Sequence, residues 1–282
     1  MALKGKKPVV EANRLKLFLY GNAKIGKTTL ALQFPAPYVI DTDGSTNKPK
    51  YVDLILNGGG SAYITQDFDE LLDQVKSLNS VQHEFKTLVI DSLTIFYDDL
   101  LEKCALKLGT VYGIHYTEAN RRIKHLIRLL LSLDMNVIIT SQAKEKYGSK
   151  LEVLGTTFDC YKKMDYVFDL ILEVQMRGAE RIALGKGTRL SECKEKEIFP
   201  WDYSEFSKRY SKEIMERMAV TCESATEDQV KEILRLIDLI KVPEEIFSKW
   251  LIKSNSEKWE EMPKDAMQKC IDHLKSKIKG DE

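Results

Sequence analysis

The 282-residue sequence predicts an α/β protein, in which a mostly parallel sheet is flanked by helices and a small group of three helices follows. Strand-like apolar segments alternate with amphipathic helical segments through residue 220, which is typical of a parallel sheet covered on both faces. Residues 21–28 also fit G-x-x-x-x-G-K-[ST], and they stand between a strand-like segment (15–20) and a helix start (28–34).

The remaining elements follow from hydrophobic spacing. Apolar residues recur at helical spacing in several segments, whereas continuous apolar runs indicate buried strands. Helices are predicted at 67–80, 93–108, 117–133 and near 203–218, parallel strands at 38–41, 86–91 and 136–140, and an antiparallel pair at 166–174 and 181–185.

Two domains are expected, an α/β core at 1–220 that carries the 21–28 motif and a helical module at 221–282. Thr226 and Gln229 form a capping box at the first helix of the module, and Pro243 and Pro263 separate its three helices.

Composition bounds the function. The chain is 43% hydrophobic and 30% charged with a formal net charge of zero, so any nucleic-acid site must be local. Five cysteines without C-x-x-C spacing, and an N-terminus without the hydrophobic core of a signal sequence, favour the cytoplasm. No apolar run approaches the ~20 residues that span a bilayer, so no membrane partner is expected. The basic N-terminal residues, including Arg14 and Lys16, are interpreted as a solvated tail.

The segment 21–28 predicts a phosphate-binding loop. Its glycines let backbone N–H groups turn toward phosphate oxygens, and the following helix adds its positive end. Lys27 would reach the β- and γ-phosphates of ATP, and the Thr28 hydroxyl would hold Mg²⁺. A glycine turn before an ordinary helix is the alternative, which the order of strand, loop and helix disfavours. The predicted nucleotide contacts are Gly21, Asn22, Ala23, Lys24, Ile25, Gly26, Lys27, Thr28 and Thr29.

Three strand ends offer polar groups to this loop. Asp91 ends a buried strand and is predicted to hold Mg²⁺ together with Thr28. Asp43 could orient the attacking water, although Asp43-Gly44 equally predicts a turn. Gln142 could hydrogen-bond the γ-phosphate, although a surface polar residue is the simpler interpretation of its local sequence.

Lys186 and Arg189 lie in a glycine-containing segment after the predicted antiparallel pair. We expect a mobile cationic loop that could neutralise transition-state charge, including on a neighbouring subunit, and Arg189 is the catalytic candidate. A solvated turn is the alternative.

Together these residues resemble the RecA-like ATPases. Ile40–Gly44 is similar to the family's I-D-x-E segment, whose Glu activates water, Val89–Ser92 to its V-V-D-S Walker B strand, and Ser141-Gln142 to its Asn-Gln sensor. With Phe34–Pro37, the pattern resembles the phage-encoded RecA-like ATPases of the Sak type over roughly residues 14–210. Asp43 stands where Glu is more common, so the resemblance implies slow hydrolysis.

The resemblance also implies a DNA-facing surface after the Walker B strand (107–117) and after the sensor (143–163). In such proteins lysines contact phosphates and aromatic rings stack on bases. A solvated loop is an equal alternative for these segments. The corresponding residues here are Lys144, Lys146, Tyr147, Lys150, Lys162 and Lys163.

The expected function is therefore a DNA-stimulated ATPase of phage-type recombination or single-strand annealing, acting on single-stranded DNA as a homo-oligomeric ring or filament. Its compartment would be the cytoplasm of a bacterial host. The C-terminal module resembles one found in phage recombination proteins and is expected to recruit a single-strand-binding or replication protein. The alternatives are a RecA-fold helicase or loader motor, and a non-hydrolysing nucleotide-gated DNA-binding or adaptor protein.

Overall fold

The computed structural model describes residues 13–147, 152–194 and 196–280. Within these ranges, nine strands form one sheet: β1 (Lys16–Gly21), β2 (Pro37–Asp41), β3 (Ser61–Ile64), β4 (Thr87–Asp91), β5 (Asn136–Tyr147), β6 (Val153–Asp159), β7 (Leu170–Arg177), β8 (Glu180–Thr188) and β9 (Ile198–Pro200). The helices there are α1 (Lys27–Ala31), α2 (Pro49–Asn57), α3 (Phe68–Ser80), α4 (Leu93–Leu108), α5 (Ile114–Ser132), α6 (Tyr203–Arg209), α7 (Lys212–Glu216), α8 (Glu227–Ile240), α9 (Glu244–Lys253) and α10 (Lys264–Gly280).

The strands are ordered β3-β2-β4-β5-β1-β7-β8-β9, and β6 pairs only with β5. Pairing is parallel from β3 to β7 and antiparallel for β5–β6, β7–β8 and β8–β9. The predicted α/β fold class, a mostly parallel sheet flanked by helices, is confirmed. The ends of β1, β2, β4 and β5 therefore share one edge of the sheet, here called the carboxyl edge.

The core lies on both faces of the sheet. Alternation along β1 sends Phe18 and Tyr20 into a cluster with α3, α4 and α5, and sends Leu17 and Leu19 into a second cluster with α1 and α6. Every residue of β1 is buried for this reason, as expected of a central parallel strand. The strand that leads into the phosphate loop is thus held rigidly on both faces.

Two predicted elements differ from the structure. The segment 143–163, expected to be a loop, is largely an antiparallel hairpin, since β5 extends to Tyr147 and pairs with β6. The helix predicted near 203–218 is two short helices, because Tyr210 adopts an extended backbone and Ser211 caps α7 by accepting from the backbone N–H of Ile214.

The interpretation of the N-terminal basic residues as a solvated tail is wrong for Arg14 and Lys16, which are buried. Lys16 Nζ donates to the carbonyls of Leu130, Leu133 and Met135 at 2.9–3.0 Å. Burial lowers the pKa of Lys16 to about 7. Arg14 pairs with Asp134 at 3.0 Å, so these cations anchor β1 and are not available to a ligand.

The three predicted C-terminal helices are present as α8, α9 and α10. The predicted capping box of Thr226 and Gln229 starts α8. Buried side chains of α8 and α10 form a hydrophobic cluster of their own, distinct from the two clusters on the sheet. Lys76 of α3 pairs with Glu261 at 3.0 Å, which ties these helices to the core. None of the helices in the described ranges is long and apolar enough to cross a membrane.

Candidate functional site

The segment 21–28 joins β1 to α1 at the carboxyl edge, and its two glycines have structural causes. A Cβ on Gly21 would lie 2.6 Å from the carbonyl oxygen of Val174 in β7. Gly26 has a φ of 104°, in the left-handed region, and a Cβ there would lie 3.0 Å from the side chain of Arg181. A side chain at Gly21 would force the two backbones apart, and one at Gly26 would be strained by the left-handed φ.

Lys27 begins α1, and its ammonium group lies within the loop. Nζ donates to the carbonyl oxygens of Gly21 (2.8 Å) and Asn22 (2.9 Å). Burial lowers the pKa of Lys27, and the negative charge of Asp91 opposes that shift. The β- and γ-phosphates of a nucleotide would offer this cation stronger acceptors than two carbonyls, because hydrogen bonds between ionised groups are the stronger kind.

The carboxylate of Asp91 bridges two threonines at the end of β4. One oxygen accepts from the Thr28 hydroxyl, and the other accepts from the hydroxyl of Thr140 on β5. Burial raises the pKa of Asp91, and the two hydroxyl bonds oppose that rise. Thr28 and Asp91, predicted from separate motifs, are therefore in direct contact.

These residues fit Mg²⁺, which prefers oxygen ligands and is usually held by one or two carboxylates together with substrate phosphates. Among the described residues, no group of three His, Cys, Asp or Glu side chains could hold a metal ion by itself. A site shared between Thr28, Asp91 and nucleotide phosphates agrees with that composition.

The strand order places Gln142 beside the loop. Asp91 ends β4, and β4 does not adjoin β1 because β5 lies between the two strands. Gln142 on β5 is therefore in register with Gly21. Its side chain is exposed, whereas Ser141 is buried and its hydroxyl lies 3.1 Å from that of Thr94. The structure thus presents Gln142, and not Ser141, at the carboxyl edge.

Asp43 follows β2 in a turn that is fixed to the Asp91 strand. The backbone N–H of Thr42 donates to the carbonyl of Asp91 (2.9 Å). Asp43 itself is exposed, and its carboxylate accepts from the backbone N–H of Ser45 at 2.8 Å. Burial alone would raise the pKa of Asp43, but the bonds from Ser45 outweigh it and lower the pKa. The predicted turn is therefore present, and it holds an ionised carboxylate near the Asp91 strand.

Lys186 and Arg189 do not form a mobile loop. Residues 180–188 are strand β8, and Lys186 pairs with Glu173 at 2.9 Å. Because β8 runs antiparallel to β7, it ends at the edge of the sheet opposite the phosphate loop, where Thr188 is in register with Leu170. The eight residue steps from Arg181 to Arg189 span about 27 Å of extended chain. The structure therefore excludes Arg189 from the phosphate loop of its own subunit.

Sequence reasoning missed two residues that contact the loop. The side chain of Arg181 lies against Gly26, and the indole Nε1–H of Trp201 donates to the Gly26 carbonyl at 3.0 Å. The two are linked, since the backbone N–H of Trp201 donates to the carbonyl of Arg181. No local motif marks either residue. The predicted antiparallel pair at 166–174 and 181–185 was the available signal, because it places the start of β8 next to the end of β7.

The predicted DNA-binding residues divide into two groups. On the β5–β6 hairpin, Lys144 pairs with Asp159 at 2.7 Å and the hydroxyl of Tyr147 bonds to Glu145, while Lys146 is exposed. Lys150 lies outside the described residues. The other group, Lys162 and Lys163, is exposed after β6.

Comparison with known proteins gives a family for the core. The AAA domain family matches residues 13–200, more than half of the chain. No curated protein matches the chain. A solved structure described as the RadB recombinase is 20% identical, with a TM-score of 0.44, and the match covers 65% of this chain and 84% of that one. By the extent of the family match, this chain belongs to the AAA domain family.

Proposed function

We propose that this protein hydrolyses ATP with Mg²⁺, and that the bound nucleotide controls its binding of single-stranded DNA in phage-type recombination or single-strand annealing in a bacterial cytoplasm. The observation that carries the ATPase proposal is the direct contact between Thr28 and Asp91 beside the buried ammonium of Lys27. The AAA domain match supports the same chemistry. The role in recombination rests on the sequence resemblance.

Each residue of the site has a proposed task. Thr28 and Asp91 would hold Mg²⁺, which would supply positive charge against that of the phosphates. Lys27 neutralises the β- and γ-phosphates, and Gln142 senses the γ-phosphate from the neighbouring strand. Asp43 orients the attacking water through its ionised carboxylate.

Two cations serve different subunits in this proposal. Arg181 lies against the phosphate loop of its own chain and would add positive charge there. Arg189 lies at the opposite edge of the sheet, so it would reach a phosphate only across an interface of a ring or filament. Its proposed role therefore requires the homo-oligomer.

Phosphate release measured with and without single-stranded DNA tests the proposal. We expect slow, magnesium-dependent release from ATP that DNA accelerates. Absence of release under both conditions, with ATP still bound, would contradict hydrolysis. Release that DNA does not change would contradict the coupling.

A second candidate is a nucleotide-gated binding protein that does not hydrolyse ATP. It is favoured by one observation: the carboxylate of Asp43 is already engaged by the N–H of Ser45 and is one methylene shorter than the Glu of the RecA-like pattern. Asp43→Glu separates the two candidates. A gain in turnover indicates a slow hydrolase, whereas ATP-dependent DNA binding without turnover in either form indicates the binding protein.

For residues 221–282 we propose a separable module that recruits a protein partner, such as a single-strand-binding or replication protein, or tunes assembly. Its separate hydrophobic cluster supports this division. A chain ending at Thr221 should fold and keep basal phosphate release while partner binding or assembly changes. A folded, monodisperse truncation without basal release would show that the module completes the active site.

A further inference from the structure

A basic groove lies between α5 and the segment 160–167, which connects β6 to β7. Its volume is about 680 Å³, and it is open to solvent along the surface of the core. Arg121, Lys124 and Arg128 line one wall, and Lys163 and Tyr166 line the other. None of these side chains belongs to the phosphate site described above.

The charge of this groove is largely uncompensated. Lys124, Arg128 and Lys163 are exposed, and they form no ion pair within the described ranges of the chain. Arg121 pairs with Glu118 at 2.7 Å, so that pair adds no net charge. Three free cations remain. On the β5–β6 hairpin, by contrast, the charge of Lys144 is neutralised by Asp159.

An aromatic ring accompanies these cations. Tyr166 is 72% exposed, and its backbone is fixed because its carbonyl accepts a hydrogen bond from the guanidinium of Arg189. A ring with a free face on a fixed backbone can stack on a base without sequence preference. An acidic peptide would pair with the cations, but it lacks bases that could stack on this ring.

The spacing also suits a polynucleotide. Arg121, Lys124 and Arg128 follow one another at three- and four-residue intervals, so they share one face of α5 over about 10 Å. Phosphates on one strand of a duplex recur about every 3.4 Å along the axis, and those of an extended single strand are further apart, so a single strand lying along α5 would present at most about three phosphates to this face.

We propose that this groove, and not the β5–β6 strand pair, is the main track for single-stranded nucleic acid. The inference rests on the proposed function, and it replaces most of the surface predicted from the sequence. Lys163 belongs to both surfaces. Lys144, which is paired with Asp159, then contributes little to affinity.

The triple variant Lys124→Ala/Arg128→Ala/Lys163→Ala tests the groove. Fluorescence anisotropy with a labelled oligothymidylate is read against salt concentration. Losing three phosphate contacts should flatten the log–log salt slope by about 2, which corresponds to about 100-fold weaker binding near 0.1 M salt. The matched control is Lys249→Ala/Lys258→Ala/Lys277→Ala, which removes three exposed lysines from residues 221–282 and should leave the slope unchanged. Unfolding midpoints show whether both variants remain folded.

Substitutions of Tyr166 test the proposed stacking on bases independently of the cations. Tyr166→Ala should weaken binding at least about fivefold, and Tyr166→Phe should retain it, because stacking needs the ring and not the hydroxyl. If Tyr166→Phe weakens DNA binding as much as Tyr166→Ala does, the stacking role is wrong. If the wild type binds DNA and the groove variant binds as tightly as the control, the groove is not the track, while the proposed function stands. If the wild type binds no single-stranded DNA, both proposals fail.

Discussion

Replacing Gly21 by alanine tests whether the neighbouring strand fixes the phosphate loop. The added Cβ would lie 2.6 Å from the Val174 carbonyl oxygen, and ordinary contact begins at 3.4 Å, so the backbones must separate by up to 0.8 Å. Overpacking of this kind costs about 1–3 kcal/mol of stability. Because Gly21 is also an acceptor for Lys27, the displacement should weaken nucleotide binding by at least about tenfold.

The assay compares urea unfolding with nucleotide titration. Gly59→Ala is the matched control: Gly59 has a φ of 73°, and a Cβ there meets no atom within 4 Å. That change should cost about 1 kcal/mol through the left-handed backbone alone, and nucleotide affinity should be unaffected. Wild-type stability and affinity in Gly21→Ala would refute the explanation from close approach to β7.

Three further predictions concern side chains of the site. Trp201→Phe removes the indole donor to Gly26, so calorimetry should show about fivefold weaker nucleotide binding, the equivalent of about 1 kcal/mol. The control Trp250→Phe should bind nucleotide with wild-type affinity. Asp91→Asn should abolish magnesium-dependent nucleotide binding yet raise the thermal midpoint of the free protein at neutral pH. The reason is that folding raises the pKa of Asp91, so its ionised carboxylate destabilises the folded state at neutral pH. Below the pKa of the unfolded state the carboxyl group is protonated in both states and this destabilisation vanishes. The rise in the thermal midpoint should therefore disappear near about pH 3. An equal gain at both pH values would contradict this explanation. Asp43→Asn should keep the bond from Ser45 and the nucleotide affinity while turnover falls about 10²–10⁴-fold; unchanged turnover would mean that another group orients the water.

The phosphate site was predictable because its signals are local. The glycines, Lys27 and Thr28 are close together in sequence, Asp91 ends a continuous apolar strand, and Gln142 closely follows the apolar run at 136–140. Parallel strands bring such ends to one edge whatever their order. The contact between Thr28 and Asp91 was therefore predictable from the motifs. The position of β5 between β1 and β4 was not.

The cations were less predictable because their placement depends on strand direction and pairing. Arg189 lies far from the loop and Arg181 lies against it, since β8 returns antiparallel from the turn at the end of β7. Lysine is usually a surface residue, yet the ammonium of Lys16 is enclosed by three backbone carbonyls between the end of α5 and the start of β5. A charged residue in a linear sequence does not reveal which distant backbone groups will surround it.

Magnesium-dependent phosphate release from ATP by Lys27→Ala tests the central claim most directly. The account predicts a loss of at least about 10²-fold in a folded protein, because the buried ammonium lies within residues 21–28 and would neutralise the charge of the phosphates. Lys249→Ala, on exposed α9, is the control and should release phosphate at the wild-type rate. Wild-type release by folded Lys27→Ala would contradict the assignment of residues 21–28 as the site of ATP hydrolysis.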